Sequence, residues 1–270
     1  MAQGASISLE RVAVRLGGVE IVSGIDLEVA PGEFVALLGP SGCGKSTLLN
    51  VIAGFTPAAA GRVRVGDRPV TGPGIDRGVV FQSSEALFPW LTVRENVEYG
   101  ARIRGVKARE RARLAAEHLR MVGLSAAADK FPGELSGGMR QRAQIARVLA
   151  NEPAVILMDE PFGALDAQTR EVLQREVDRL WRETGATILF VTHDIAEAVL
   201  LADRVVTMTT GPRARIKTVA PIDLAHPRDL EQPGAVALVR LLRDDIAAEV
   251  NRALVAQGLV LATERADAAA

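Results

Sequence analysis

Between the all-apolar run Phe34-Val35-Ala36-Leu37-Leu38 and a helical segment from Lys45 to Ala53 lies the stretch Gly39-Pro40-Ser41-Gly42-Cys43-Gly44-Lys45-Ser46-Thr47. A run apolar at every position is a strand covered on both faces, so it belongs to a parallel sheet flanked by helices. The turn after it fits the pattern G-x-x-x-x-G-K-[ST] in full. Small residues there let backbone N–H groups turn inward around a β-phosphate, and the following helix presents its positive end to the same anion. Lys45 would reach the β- and γ-phosphates as a point charge, and Ser46 would ligand Mg2+. Cys43 reads as a small filler, because phosphoryl transfer needs no thiol. The bland alternative is a glycine-rich turn before an ordinary helix; the buried strand before it and the helix after it weigh against that.

The rest of the chain suits such a core. Ile7, Leu9, Val12, Val14 and Leu16, then Ile21, Ile25, Leu27 and Val29, alternate around Gly17-Gly18, which predicts antiparallel strands with one wet face. Val63, Val65 and Val79-Val80-Phe81 predict further strands. From about Leu91 to Ala150 the pattern is helical, with Leu114, Leu119 and Val122 on one face. Strands return at Val155 to Met158 and Ile188 to Thr192 around a helix from Thr169 to Glu183, and again at Val205 to Met208. Strand–helix–strand order predicts a parallel α/β core, with the helical block inserted into it. The expected organisation is one domain over 1–230, with its core in 1–85 and 151–230 and a helical subdomain at about 86–150. A last helix, carrying Val239, Leu242, Ile246, Val250 and Leu254 at helical spacing, and a disordered tail fill 231–270.

Charge and composition remove several classes. With 32 basic against 33 acidic residues the net charge is −1, which speaks against a nucleic-acid partner. One cysteine excludes an intramolecular disulfide and fits a reducing compartment. Met1 to Leu9 lacks the basic and apolar regions of a signal peptide. The apolar runs are far shorter than the ~20 residues of a membrane span, so membrane association is expected through a partner.

Two further segments carry chemistry. Val155-Ile156-Leu157-Met158-Asp159-Glu160-Pro161 is a buried strand ending in two carboxylates, at the strand end where parallel sheets bind ligands. Asp159 would hold Mg2+ through water. Glu160, facing the other way, would be free to orient and polarise an attacking water. Leu135-Ser136-Gly137-Gly138-Met139-Arg140-Gln141-Arg142 opens a helix running to Ala150. Ser136 is a natural N-cap, and the two glycines leave N–H groups exposed beside the positive helix end, a second anion site.

With these motifs in this order the chain resembles an ABC transporter nucleotide-binding subunit, whose LSGGQ-type signature it matches except for Met139. The resemblance covers roughly Ile7 to Ile216. It implies an α/β fold with a P-loop NTPase core of ABC ATPase type, an N-terminal antiparallel β-subdomain and an inserted α-helical subdomain. It implies ATP and Mg2+ as ligands and ATP hydrolysis as the activity. It also implies a homodimer in the ATP-bound state, in which the phosphate loop of one chain and Ser136, Gly137 and Gly138 of the other enclose each ATP.

By the same resemblance Gln82 senses Mg2+ and the attacking water, Asp166 lies in the loop Gly163 to Asp166 that communicates across the dimer, and His193 contacts the γ-phosphate. Leu16 takes the place where the family has an aromatic residue on adenine, and offers apolar contact without stacking. His118 and His226 read as surface residues. The region Leu87 to Val97 would receive the coupling helix of a transmembrane subunit, with Phe88 and Trp90 as core packing the competing reading. The Pro89-Trp90 pair, Pro161 to Asp166 and the short C-terminal region resemble the nitrate, sulfonate and taurine importer branch. The expected partners are two transmembrane permease subunits and, indirectly, an extracytoplasmic solute-binding protein, with the chain on the cytoplasmic face of the inner membrane. The alternative is a soluble ABC ATPase of cluster assembly or repair.

Overall fold

The computed structural model describes residues 4–83 and 86–256. The expected disordered tail, Thr263 to Ala270, lies outside the described residues. The chain divides into two compact units.

The first comprises Ile7–Val29, Phe34–Gly72 and the chain from Val191 on. Its strands β1 (Ile7–Leu16) and β2 (Val19–Val29) are antiparallel, from Ile7 opposite Val29 to Leu16 opposite Val19. Gly17 and Gly18 join them with φ of 55° and 83°. A two-residue hairpin turn that follows the twist of the strands needs positive φ at both positions, which glycine adopts without strain. With β4 (Ala60–Val65) and β5 (Arg68–Pro69) they form a sheet in the order β2-β1-β4-β5. Ile7, Leu9, Val12 and Val14 are all buried, although the spacing slips from odd to even numbers after Leu9. The slip is a β-bulge: the register shifts there, Arg11 takes φ 48°, and its N–H donates to Asp26 Oδ1 at 2.8 Å. One extra residue restores the apolar face.

The same unit holds β3 (Phe34–Leu38), parallel to β9 (Arg204–Met208), which pairs antiparallel with β10 (Ile216–Pro221). All five residues of β3 are fully buried, as its unbroken apolar run predicts. Helices α1 (Lys45–Ala53), α6 (Ile195–Leu201) and α7 (Pro233–Ala256) complete the unit. Arg228 is buried and donates to the carbonyls of Val199 and Leu224 at 3.0 and 3.1 Å and to that of Ala202, tying the segment before α7 to the end of α6.

Helix α7 docks differently from its apolar spacing. Leu242 is buried, but Val250 is exposed and Glu249 is buried in its stead. Lys217 explains the exchange: its Nζ lies 3.0 Å from Asp245 and 3.1 Å from Glu249. Thr207 donates to Asp245 at 2.6 Å, and the Thr210 N–H donates to Glu249 at 3.0 Å. Burial opposes ionisation of both carboxyls, but these partners outweigh it and hold both below their ordinary range. Burial likewise opposes the Lys217 charge and is outweighed by the two carboxylates, so its pKa is raised. Depressed carboxyl pKa values stabilise the fold above their unfolded values, and that stability is lost as pH falls through the folded ones. A raised lysine loses its contribution only as pH rises through its folded pKa. Asp245→Asn is therefore expected to lower stability at pH 7, with the gap to wild type narrowing below about pH 4 in urea denaturation.

The second unit comprises residues 4–6, Ala30–Glu33 and Pro73–Phe190. Strands β6 (Arg77–Val80) and β7 (Val155–Asp159) are parallel, and β8 (Thr187–Val191) continues the order β8-β7-β6. Four helices accompany them: α2 (Val93–Ile103), α3 (Ala108–Met121), α4 (Gly137–Leu149) and α5 (Ala167–Thr184). Thr92 and Glu95 form a capping box at the start of α2. His118, expected at the surface, is buried in α3 with Nδ1 2.9 Å from the Leu114 carbonyl. One hydrogen bond to the preceding turn of its own helix lets an imidazole sit among Ala115 and Leu119 without an unmet donor.

Candidate functional site

In the first unit β3 delivers the chain directly into the phosphate loop. Gly39, Pro40, Cys43 and Lys45 are buried, whereas Ser41 and Gly42 are exposed. The Cys43 N–H donates to Pro40 O at 3.3 Å, and the ladder of α1 opens with Leu48 N–H on Gly44 O at 2.8 Å. The N–H groups of Lys45, Ser46 and Thr47 therefore precede the first intrahelical bond and point out of the helix start. Gly44 caps the helix at φ 98°. A Cβ there would lie 2.7 Å from Val22 Cγ1 and 3.0 Å from Ile21 Cγ2, so only glycine fits. Gly42, at φ 77°, faces open space.

Lys45 Nζ donates to Gly39 O at 2.8 Å and Pro40 O at 3.0 Å, and lies 3.8 Å from Cys43 Sγ. The ammonium group is thus folded over the loop it is expected to serve. Burial pushes the Cys43 thiol up despite that neighbour, which keeps it a protonated filler. Leu16 is exposed at the end of β1, beside the hairpin turn. His193 is exposed just after β8. Its neighbours are pinned: Thr192 Oγ1 donates to Glu197 at 2.7 Å, and Asp194 caps α6 through the N–H groups of Ala196 and Glu197.

In the second unit β7 ends at Asp159, and Glu160 follows at φ 46°. A left-handed conformation is uncommon for a residue other than glycine, and it redirects the carboxylate off the strand. Gln82 Nε2 donates to Glu160 Oε2 at 3.2 Å, so the structure brings these two predicted residues together. Ser136 caps α4 by accepting from the Met139 N–H at 3.3 Å. Gly137 and Gly138 form the first turn. A Cβ on Gly138 would be 3.3 Å from Leu165 Cδ2, so the signature lies against the loop that ends at Asp166. Asp166 caps α5, and the hydrogen bond from the Thr169 N–H at 3.0 Å holds its carboxyl below the usual range.

Phe88 and Trp90 part ways. Phe88 is half-buried, with its ring centroid 4.6 Å from that of Tyr99 and 5.5 Å from that of Trp90, while Trp90 is 69% exposed. A groove of about 400 Å3 beside them is lined by Ile75, Phe88, Tyr99 and Ile103, among others. Sequence reasoning misses Gln141 and Gln144 of α4, both buried. A polar pair three residues apart inside a helix that is otherwise buried on that face was the available signal.

A glycine-rich phosphate loop, a strand ending in Asp-Glu and a second capped glycine-rich helix start define a nucleoside triphosphatase of the α/β class. The protein-family model described as ABC transporter matches residues 22–163. The taurine import ATP-binding protein TauB of Chromobacterium violaceum is 48% identical over 219 residues, 80% of this chain and 84% of that protein. The bicarbonate transport ATP-binding protein CmpD of Synechocystis is 48% identical over 219 residues, 80% of this chain and 77% of that one. A solved dimeric structure of the ATP-binding cassette MJ0796, in a post-hydrolysis state with ADP and Pi, superposes with a TM-score of 0.71 at 32% identity. It covers 81% of this chain and 100% of its own. The chain belongs to the ABC transporter family, as one of its ATPase subunits.

Proposed function

We propose that this chain powers a bacterial importer of small anionic or zwitterionic solutes of the taurine, sulfonate, nitrate or bicarbonate kind. The taurine import relative supports the importer direction, and the observation that carries docking to a permease is the groove lined by Ile75, Phe88 and Ile103, beside the exposed Trp90. Trp90, Ile75 and Ile103 are 69%, 88% and 69% exposed, a concentration of apolar surface that marks an interaction site. No helix among the described residues is long and apolar enough to cross a membrane, so the path for solute would come from permease subunits. The taurine and bicarbonate relatives support the solute class.

In this reading the N–H groups at the start of α1 and the Lys45 ammonium hold the β- and γ-phosphates. Glu160, oriented by its own backbone and by Gln82, accepts a proton from the attacking water as that water's oxygen bonds to the γ-phosphorus and the bond to the β–γ bridging oxygen breaks, releasing ADP and phosphate. His193 steadies the γ-phosphate. Leu16 covers adenine by apolar contact. Ser136, Gly137 and Gly138 of a second copy close the nucleotide from the other side.

The donors assigned to Mg2+ are the Ser46 hydroxyl, the Gln82 amide oxygen and the Asp159 carboxylate, hard oxygens suited to it. No cluster of three or more metal-ligating His, Cys, Asp or Glu occurs among the described residues. That fits Mg2+, which is bound by one or two carboxylates together with substrate phosphates. When bound it would neutralise charge on the β- and γ-phosphate oxygens.

Trp90→Asp is expected to keep ATP hydrolysis by the purified chain within about twofold of wild type, as a surface change does. It is expected to abolish co-purification with membranes of the cells that naturally make this chain. Retained membrane association would point instead to a soluble ABC ATPase or to docking through another face.

A further inference from the structure

Helix α4 begins at the signature, and its buried side carries two glutamines among Ala143, Ile145, Ala146 and Val148. Gln141 is 1% exposed and Gln144 is fully buried. Gln141 Nε2 donates to Phe81 O at 3.1 Å, and Gln144 Nε2 donates to Ser83 O at 3.1 Å, within 3.3 Å of Phe81 O. The Phe81 N–H donates in return to Gln144 Oε1. The two amides therefore grip the backbone on both sides of Gln82. Farther along the helix, Arg147 donates to Ala86 O at 2.9 Å and lies 5.3 Å from the centre of the Phe88 ring. Residues 141, 144 and 147 are spaced three apart, so one face of one helix makes all of these contacts.

An apolar residue would fill the space at 144 and cost less to bury. Glutamine offers a donor and an acceptor on one planar group, which an N–H and a C=O of the same backbone segment require together. Polar side chains in a helix core, at positions where packing alone would favour leucine, mark a role beyond stability. Two further bonds extend the path. Ser136 caps the start of the helix, and Gln82 Nε2 reaches Glu160 Oε2 at 3.2 Å. From the signature to Glu160 the path runs along a helix, through two clamped backbone positions and into one side chain.

We propose that Gln144, assisted by Gln141, is a positioning residue for ATP hydrolysis, fixing the backbone around Gln82 to the signature helix so that α4 sets the contact between Gln82 and Glu160. This rests on the reading of Gln82 and Glu160 given above. The consequence is that a shift of α4, whether imposed at Ser136 or at Arg147, reaches the backbone of Phe81 and Ser83 on either side of Gln82.

The test is steady-state ATP hydrolysis by the full chain as wild type, Gln144→Met, Gln82→Ala and the double variant. Methionine keeps the length and volume of the glutamine side chain and removes its donor and acceptor. Gln144→Met is expected to lower kcat about tenfold while KM for ATP stays within about twofold, the pattern of a contact that matters only during the chemical step. In the Gln82→Ala background it is expected to add no further loss, because both changes cut one path. A wild-type kcat for Gln144→Met, or losses that multiply in the double variant, would overturn the proposal. If Gln144→Met does not fold, Gln141→Met takes its place in the same cycle, and the same two results support or overturn the proposal. Should Gln82→Ala itself turn over at the wild-type rate, the catalytic reading fails and the proposal falls with it. If Gln82→Ala is slow and Gln144→Met is not, the positioning role alone is wrong.

Discussion

Lys45→Ala is expected to lower ATP turnover by about 10²- to 10³-fold, the usual loss when one preorganised charge donor is removed from a phosphoryl-transfer site. The ammonium group is buried and sits on the carbonyls of Gly39 and Pro40. No other lysine or arginine occurs in the loop, so nothing local replaces its charge. The fold should survive, because the loop's own bonds, Cys43 N–H to Pro40 O and Leu48 N–H to Gly44 O, do not involve the side chain. Phosphate release measures the loss of turnover, and equilibrium binding of a fluorescent ATP analogue separates it from any loss of affinity. Turnover at the wild-type rate would remove the phosphate loop from the mechanism.

Glu160→Gln should act at a later step. The amide keeps the size of the carboxylate and can still meet Gln82, whose Nε2 now donates to Glu160 at 3.2 Å, but it cannot take a proton from water. Hydrolysis is expected to fall by about 10²- to 10⁴-fold while ATP still binds. Chains that close on ATP and cannot hydrolyse it accumulate, so gel filtration with ATP should show a dimer that reverts to monomer when nucleotide is washed out. A protein that stays monomeric with ATP and hydrolyses it at the wild-type rate would contradict the assignment of Glu160.

Much of this was legible in the residues because the physics was local. The run Phe34 to Leu38 can be read as a two-sided buried strand without further context, and the structure begins and ends it at those residues. Gly44 is demanded by a left-handed cap against Val22 and Ile21, and the motif pattern carries that demand. What stayed hidden depended on partners distant in sequence. The buried face of α7 could not be predicted from its apolar spacing, because Lys217, outside the helix, draws Asp245 and Glu249 inward. Gln141 and Gln144 look like ordinary polar helix residues until Phe81 and Ser83 are seen against them. Phe88 and Trp90 are two residues apart and equally apolar; the Tyr99 ring and the Arg147 guanidinium, distant in sequence, leave the first half-buried and the second exposed. Nor does any sequence pattern announce that Glu160 takes a left-handed backbone where it opens the turn closed by the Gly163 N–H on its carbonyl.

The most direct test of an ATP-driven importer is uptake by a strain that lacks this chain. Labelled taurine, an alkanesulfonate, nitrate and bicarbonate would be offered one at a time, with sulfate and ammonium as controls. Uptake of one of the four is expected to be lost, and to be restored by the wild-type chain but not by Lys45→Ala. Normal uptake of all four, or rescue by Lys45→Ala equal to wild type, would contradict an ATP-driven importer of this solute class.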